Sequence, residues 1–326
     1  MPENKLHACI DTLPGQSVRE PSLAALSNPL RRYFAATRPA FLSVTFVGCL
    51  LGLASAHASG VRIDPLLAGL TLFFALVAHA GANVVNDYYD GLSGCDDANH
   101  ERVFPFTGGS RFIQNGVMTQ RAVGRFGYLL LAAVVPAGLY LATVSAGGLI
   151  GIGLAGLGIG WAYSAPPLKL QARGLGEWAV TAGWLLVVVG SDFVQRHGFS
   201  LTPLAAGLSF ALLVANVLYI NQFPDVNADA QTGKRTAVVR LGITAARWGY
   251  LAIVILAYGW IVLMVTLWLL PPVALISLLS GVASLAAGFG LWRHAGNPPR
   301  LVSAIKLTIL AAVSHGLLLG LALSLA

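Results

Sequence analysis

The chain has 326 residues, of which 56% are apolar and only 10% charged, with a net charge of +7 and a mean hydropathy of +0.73. Soluble domains carry about 25% charged residues, so an ordinary soluble enzyme is excluded, as are a disordered chain, a collagen and a disulfide scaffold. The positive excess first suggests nucleic acid, but in a polytopic membrane protein the distribution of Lys and Arg along the chain carries the information.

The first thirty residues mix Glu3, Lys5, Asp11, Arg19 and Glu20 with prolines and hold no apolar stretch. Residues 1–30 read as a flexible cytoplasmic tail and not as a secretory signal, which needs an apolar core. Residues 31–326 read as one membrane domain. A bilayer core needs about 20 apolar residues per helix, and nine segments answer to that: 41–57, 66–85, 123–143, 147–163, 178–193, 203–222, 246–269, 273–292 and 301–325. The fifth is the shortest and carries Asp192. Inside the fourth, Gly151, Gly153 and Gly156 match a dinucleotide-binding spacing but follow no strand, so they predict close helix packing and not a cofactor site. No ten-residue alternation suggests a transmembrane barrel. Cys9, Cys49 and Cys95 are scattered, without metal or redox spacing, and predict free thiols. The fold class expected is an all-α polytopic membrane protein of about nine transmembrane helices.

Threading nine spans puts 18 Lys and Arg residues on the side of the N-terminus and only Arg62 and Arg196 opposite. The positive-inside rule then places the N-terminus and the long loops in the cytoplasm and the C-terminus outside, in a multi-pass protein of the cytoplasmic membrane.

The thirteen acidic residues cluster. Asp87, Asp90, Asp96, Asp97 and Glu101 follow the second span, and Asp225 and Asp229 follow the sixth. Both groups sit at cytoplasmic helix ends, where the macrodipole is already negative, so stacked carboxylates there call for a bound cation. Carboxylates completed by water and phosphate oxygens are the ligand set magnesium takes. The groups also match each other. Asn86 precedes Asp90, and Asn221 precedes Asp225, by four residues, one helical turn. Each is followed by a Gly-basic segment, Gly109-Ser110-Arg111 in one and Gly233-Lys234-Arg235 in the other. Two related helical-bundle halves, each offering a carboxylate pair, are expected. Between them, Tyr163-Ser164-Ala165-Pro166-Pro167-Leu168-Lys169 ends the fourth span, and Lys169, Arg173, Arg111, Lys234 and Arg235 are candidates to hold phosphate oxygens.

These residues resemble the UbiA superfamily of intramembrane prenyltransferases. Its two motifs are matched by Asn86-Asp87-Tyr88-Tyr89-Asp90 with Asp96, and by Asp225-Val226-Asn227-Ala228-Asp229; the Tyr163-Ser164 loop is a third family feature. The resemblance runs from about residue 30 to the end. The six-residue step from Asp90 to Asp96, the stretch Gly109 to Gly116 and the stretch Gly233 to Gly242 look like the branch acting on 1,4-dihydroxy-2-naphthoate in menaquinone synthesis. The resemblance implies Mg²⁺, two ions, held by Asp90 with Asp96 and by Asp225 with Asp229. Asp87 and Asp97 complete the candidate metal set, and either Asp96 or Asp97 serves the first site. Asn86 and its counterpart Asn221 support the sites, Arg111, Lys169, Arg173, Lys234 and Arg235 contact diphosphate, and Tyr163 and Ser164 close the site. The implied substrates are a polyprenyl diphosphate and an aromatic acceptor, the implied surroundings membrane lipid, and no nucleic acid is needed to explain +7. Other acceptors of the superfamily, hydroxybenzoate or homogentisate among them, and terpene cyclisation are the alternatives. A transporter, the rival of another class, predicts charges near mid-span, whereas these acids lie at span ends.

Overall fold

A computed structural model describes residues 19–326; Lys5, Cys9 and most of the expected tail lie outside them. The described residues form eleven α-helices and no strand: α1 (Pro29–Ala36), α2 (Ser43–Ala58), α3 (Pro65–Ser93), α4 (Cys95–Ala98), α5 (Gln120–Val144), α6 (Gly148–Ala162), α7 (Gly176–Arg196), α8 (Thr202–Gln231), α9 (Ala237–Thr266), α10 (Gly281–His294) and α11 (Val302–Ser324). Eight helical stretches are long and apolar enough to cross a membrane, and α6, apolar but only 15 residues long, is the ninth. The fifth span, expected to be the shortest, extends to 21 residues as α7. Its Asp192 is paired one turn on with Arg196 at 2.7 Å, and Arg196 also donates to Ser59 Oγ at 2.9 Å. A matched pair at the helix end makes that charge compatible with a span.

Local chemistry sets the helix that carries the first motif. Asp64 accepts from the backbone N–H groups of Leu66 and Leu67 at 2.8 and 3.0 Å, and Pro65 opens the first turn of α3. Gly94, at φ 73°, ends it in the left-handed conformation that a side chain disfavours, and α4 follows at once. The acidic run is therefore split: Asn86, Asp87 and Asp90 ride on α3, while Asp96 and Asp97 sit on α4 beyond the turn. The second motif lies within α8, whose helix continues through Pro224 to Gln231.

α8 is the central pillar. Of its most apolar stretch 78% is buried, against 17% for α3 and for α5. Val44, Val47 and Leu51 of α2, Val188 of α7, Phe210 and Leu213 of α8, Ile261 of α9 and Leu319 of α11 form one core. Tyr219 and Phe223 of α8 with Tyr250, Leu291 and Ile305 form another. Lipid tails are as apolar as these side chains, so close contact and not water exclusion holds such helices together. Gly52 of α2 shows it, for a Cβ there would run into the Val188 backbone of α7. The loop from 99 to 118 packs Phe112, Val117 and Met118 against Val84 of α3, which brings its glycines beneath the first motif.

Candidate active site

A cavity of about 1140 Å³ opens between α2, α3, α5, α6, α7 and α8. Its lining on α3 runs from Thr71 to Asp90, or about 28 Å of helix at 1.5 Å per residue. It is therefore about as deep as a bilayer core. Most of the wall is apolar. Gly153, Gly156 and Gly160 of α6 line it, and a Cβ on Gly153 or Gly156 would meet nothing within 4 Å. The expectation that these glycines pack helices closely is thus corrected: they leave the cavity wide.

The carboxylates gather at one end, while Thr45 and His79, 2.8 Å apart, are polar points on the wall below. Asp90, Asp96, Asp225 and Asp229 line that end, with Asn86, Asn221, Tyr163 and Lys234. Asp90 is held from three sides, by Asn86 Nδ2 at 3.0 Å, Gln171 Nε2 at 3.0 Å and Lys234 Nζ at 3.1 Å. Ser164 Oγ accepts from both Asn86 and Gln171, at 3.0 and 3.1 Å. Lys234 Nζ stands 3.6 Å from Asp229 and so ties the two motifs together. Asp229 also accepts from Cys95 Sγ at 3.2 Å and from Thr236 Oγ1 at 3.4 Å, and Asp225 from Asn99 Nδ2 at 2.6 Å. Burial, then the neighbouring Asp90 and Asp87, push the Asp96 carboxyl well above the usual carboxylate range. Burial works against the charge on Lys234, but Asp90 and Asp229 outweigh it and hold the ammonium well above the usual lysine range.

Not every residue expected here arrives. Asp97 is exposed on the far side of α4, so Asp96 is the one that faces the cavity. Asp87 is buried beside the cavity and accepts from the backbone N–H of Ser110 at 3.2 Å, anchoring the glycine loop. A Cβ on Gly109, at φ 70°, would run into the Asp96 carboxylate, so that position requires glycine on both counts. Arg111 is buried, donates to the Asp96 carbonyl oxygen and lies 3.8 Å from Glu20. Lys169, Arg173 and Arg235 are exposed outside the cavity. Arg173 and Arg235 instead brace the loops: Arg173 donates to Pro167 O at 2.8 Å, and the Arg235 N–H to Ala172 O at 2.9 Å.

Four participants went unforeseen: Gln171, Asn99, Cys95 and Arg38. Arg38 lines the cavity at φ 57°, over the Phe41 ring at 4.4 Å, and touches only the Pro105 and Phe106 carbonyls, at 3.5 and 3.4 Å. The mouth is covered by Arg19, Glu20, Pro21, Ala25 and Leu26. Glu20 pins this cover by accepting from Arg102 at 2.7 Å and Asn115 at 3.1 Å.

The donor set fits a divalent cation. Four carboxylates share one buried ammonium, and the side-chain oxygens of Asn99 and Asn221, both buried, accept no hydrogen bond. Among the described residues no three His, Cys, Asp or Glu converge as a complete cage. Carboxylate pairs that leave positions for water and phosphate oxygens are how magnesium is usually held.

Comparisons with known proteins agree with this architecture. The UbiA prenyltransferase family model matches residues 42–313. The 1,4-dihydroxy-2-naphthoate octaprenyltransferase of Escherichia coli is 34% identical over 221 residues, 64% of this chain and 68% of that protein. The enzyme of the same name from Bacillus subtilis is 27% identical over 293 residues, 88% of this chain and 90% of that one. A UbiA homologue from Archaeoglobus fulgidus, solved with DMAPP and Mg²⁺, shares the fold with a TM-score of 0.61 at 18% identity, covering 90% of this chain and 99% of that one. A digeranylgeranylglyceryl phosphate synthase structure shares it with a TM-score of 0.62 at 17% identity, covering 91% and 99%. The chain belongs to the UbiA prenyltransferase family, as an integral membrane enzyme that transfers prenyl groups.

Proposed function

We propose that the protein transfers a polyprenyl group from an allylic polyprenyl diphosphate to 1,4-dihydroxy-2-naphthoate in a Mg²⁺-dependent reaction of menaquinone synthesis. The observation that carries this is the division of the cavity: carboxylates and Lys234 at one end of a cavity that follows about 28 Å of α3, with a mostly apolar, glycine-widened wall below them. Such a shape suits a ligand with an anionic head and a long hydrocarbon tail. The relatives named as naphthoate octaprenyltransferases support the acceptor and pathway.

In this reading Asp90 with Asp96, and Asp225 with Asp229, hold two magnesium ions, which when bound neutralise the diphosphate and make it a better leaving group. Lys234 donates to a diphosphate oxygen. Asn86, Gln171 and Ser164 fix the orientation of Asp90 through the bonds described above, and Tyr163 covers the reacting end. Lys169, Arg173 and Arg235 stand outside, where they draw the anionic head toward the mouth. Arg38 lines the cavity, and its guanidinium, bonded only to the Pro105 and Phe106 carbonyls, acts on Asp87 at long range without forming an ion pair; a guanidinium there suits the carboxylate of the naphthoate. The C–O bond to diphosphate breaks, the electron-rich ring attacks the allylic cation to form a carbon–carbon bond, and the attacked ring carbon then expels its own substituent, a proton or the carboxylate as CO₂, to become aromatic again. The apolar wall and the segment over the mouth keep water from competing. The lysine and arginine asymmetry supports a site facing the cytoplasm, with the C-terminus outside.

The test is an assay of the purified protein in lipid with Mg²⁺, polyprenyl diphosphates of graded length and a panel of aromatic acceptors. Prenylated naphthoate product, lost on chelation, is the expected result. Product with hydroxybenzoate or homogentisate alone would reassign the acceptor, and full activity in excess chelator would remove the metal.

A further inference from the structure

We propose that Asn99 supplies a neutral oxygen ligand to the divalent cation at Asp225, so that the segment following the first motif completes the second metal site. The inference rests on the metal-dependent reading above and adds a residue outside both aspartate motifs. It starts from a broken equivalence. The sequence pairs Asn86 with Asp90 and Asn221 with Asp225, but only the first pair forms, with Asn86 Nδ2 3.0 Å from Asp90 Oδ2. At Asp225 the amide comes instead from Asn99, whose Nδ2 donates to Oδ1 at 2.6 Å across 126 residues of sequence.

That bond fixes the amide's orientation. A carboxylate accepts only from the NH₂ side, so the carbonyl oxygen of the same amide is the atom left for another partner beside Asp225. This Asn99 Oδ1 is buried, receives no hydrogen bond and belongs to a residue only 3% exposed that lines the cavity. Buried acceptors are normally satisfied, and one left empty in a native site asks for an ion or water. The nearby ammonium does not serve it, since Lys234 donates to Asp90 and lies against Asp229. The residue is also held rigidly: its backbone carbonyl accepts from Arg102 Nη1 at 2.8 Å, and Arg102 is itself bonded to Glu20. A carboxylate, an amide oxygen and remaining positions for water and phosphate form an oxygen set that magnesium and manganese both accept. One amide would thus orient Asp225 through its N–H and bind the cation through its oxygen. The second site would then assemble only when the 95–99 segment is in place.

The test is Mn²⁺ binding to the full-length protein in nanodiscs with inorganic pyrophosphate, read by the loss of the free-ion EPR signal, with prenyl transfer assayed on the same preparations. Asn99→Ala should weaken Mn²⁺ affinity about 10-fold, the lower end for loss of a group that supports a metal. Asn99→Asp, nearly isosteric, should bind Mn²⁺ at least as tightly as the wild type, although without metal it sets two carboxylates together. If Asn99 acted only as a donor to Asp225, Asn99→Asp would bind as weakly as Asn99→Ala or more weakly, and that result would overturn the proposal. Wild-type affinity in Asn99→Ala, with transfer intact in the wild type, would overturn it and leave the functional reading standing. Wild-type protein that neither binds Mn²⁺ nor transfers would bring down both. If Asn99→Ala fails to fold, the Asn99→Asp affinity decides alone.

Discussion

Replacing Lys234 by methionine tests the electrostatics of the site most directly. Its ammonium lies 3.1 Å from Asp90 and 3.6 Å from Asp229, with the side chain 12% exposed. At an effective dielectric of about 20, each contact is worth about 5 kcal/mol before desolvation is subtracted. Removing one partner of a buried pair leaves the other charge uncompensated, a net loss of about 3–5 kcal/mol. Lys234→Met should therefore melt several degrees below the wild type in EDTA. Added Mg²⁺ should raise its melting temperature more than that of the wild type, because the cation replaces the missing charge. Catalysis should fall too. Loss of one charge-assisted hydrogen bond to diphosphate costs about 1.5–3 kcal/mol, or about 10- to 150-fold in kcat/KM. Thermal unfolding in detergent with and without Mg²⁺, and steady-state kinetics with a polyprenyl diphosphate, read both effects. Equal melting in EDTA together with kcat/KM within twofold of wild type would refute the account of Lys234 as the cation that ties the motifs.

Asp90→Asn and Asp225→Asn should each lower kcat by at least about 100-fold, the scale for losing a group that stabilises developing charge, while fluorescence-detected gel filtration shows normal expression. Gly156→Leu fills the open wall of α6, so kcat/KM for long prenyl diphosphates should drop about tenfold while dimethylallyl or geranyl diphosphate stays within threefold; equal losses for all lengths would show that this wall does not hold the chain. The cover over the mouth should loosen in acid. Burial works against the charge on Glu20, but the hydrogen bonds from Arg102 and Asn115 outweigh it, so the carboxyl titrates below its ordinary value of 4.5. A depressed folded value means the latch is at full strength above about pH 4.5 and is lost as pH falls through the lower value. Hydrogen exchange over residues 20–28, corrected for intrinsic rate, should be constant above that pH in the wild type and about fivefold faster in Glu20→Gln, the factor for a partly exposed pair worth about 1 kcal/mol.

Much of this was legible because charge is scarce in a membrane chain. With 10% charged residues, two carboxylate clusters at matching span ends stand out against the apolar background. The resemblance they carry led to the family and to four aspartates that line one cavity. The basic residues were less legible. Lys169, Lys234 and Arg235 look alike in sequence, yet only Lys234 turns inward, because its backbone N–H bonds to Asp229 O at 2.8 Å at the end of α8. Lys169 sits at φ 43° on an exposed loop beside Pro166 and Pro167, and no periodicity fixes such a direction. Gln171 and Asn99 were missed for the same reason: neutral amides in irregular segments carry no pattern. The spacing of Asp96 and Asp97 likewise left the choice open, and the turn at Gly94 settles which one faces inward.

The two motifs are alike in sequence but not in use, and the difference follows from where each motif sits. Asp87 and Asp90 ride on α3, and the 163–173 and 99–118 loops fold back on it to supply Ser164, Gln171 and Ser110. Asp225 and Asp229 lie on the buried pillar α8. Their partners come instead from beyond the other motif, as Asn99 and Cys95 of the segment after α3, and from Lys234 and Thr236 just past the helix end. The first motif's loop therefore serves both carboxylate pairs. The buried helix α8 places Asp225 and Asp229, and the segment after α3 supplies Asn99 and Cys95 to them. The cover held by Glu20 reaches that same segment through Arg102 and the Asn99 carbonyl. Arg102 thus joins the segment lining the mouth to the partner of Asp225, so that both stand on one hydrogen-bonded support.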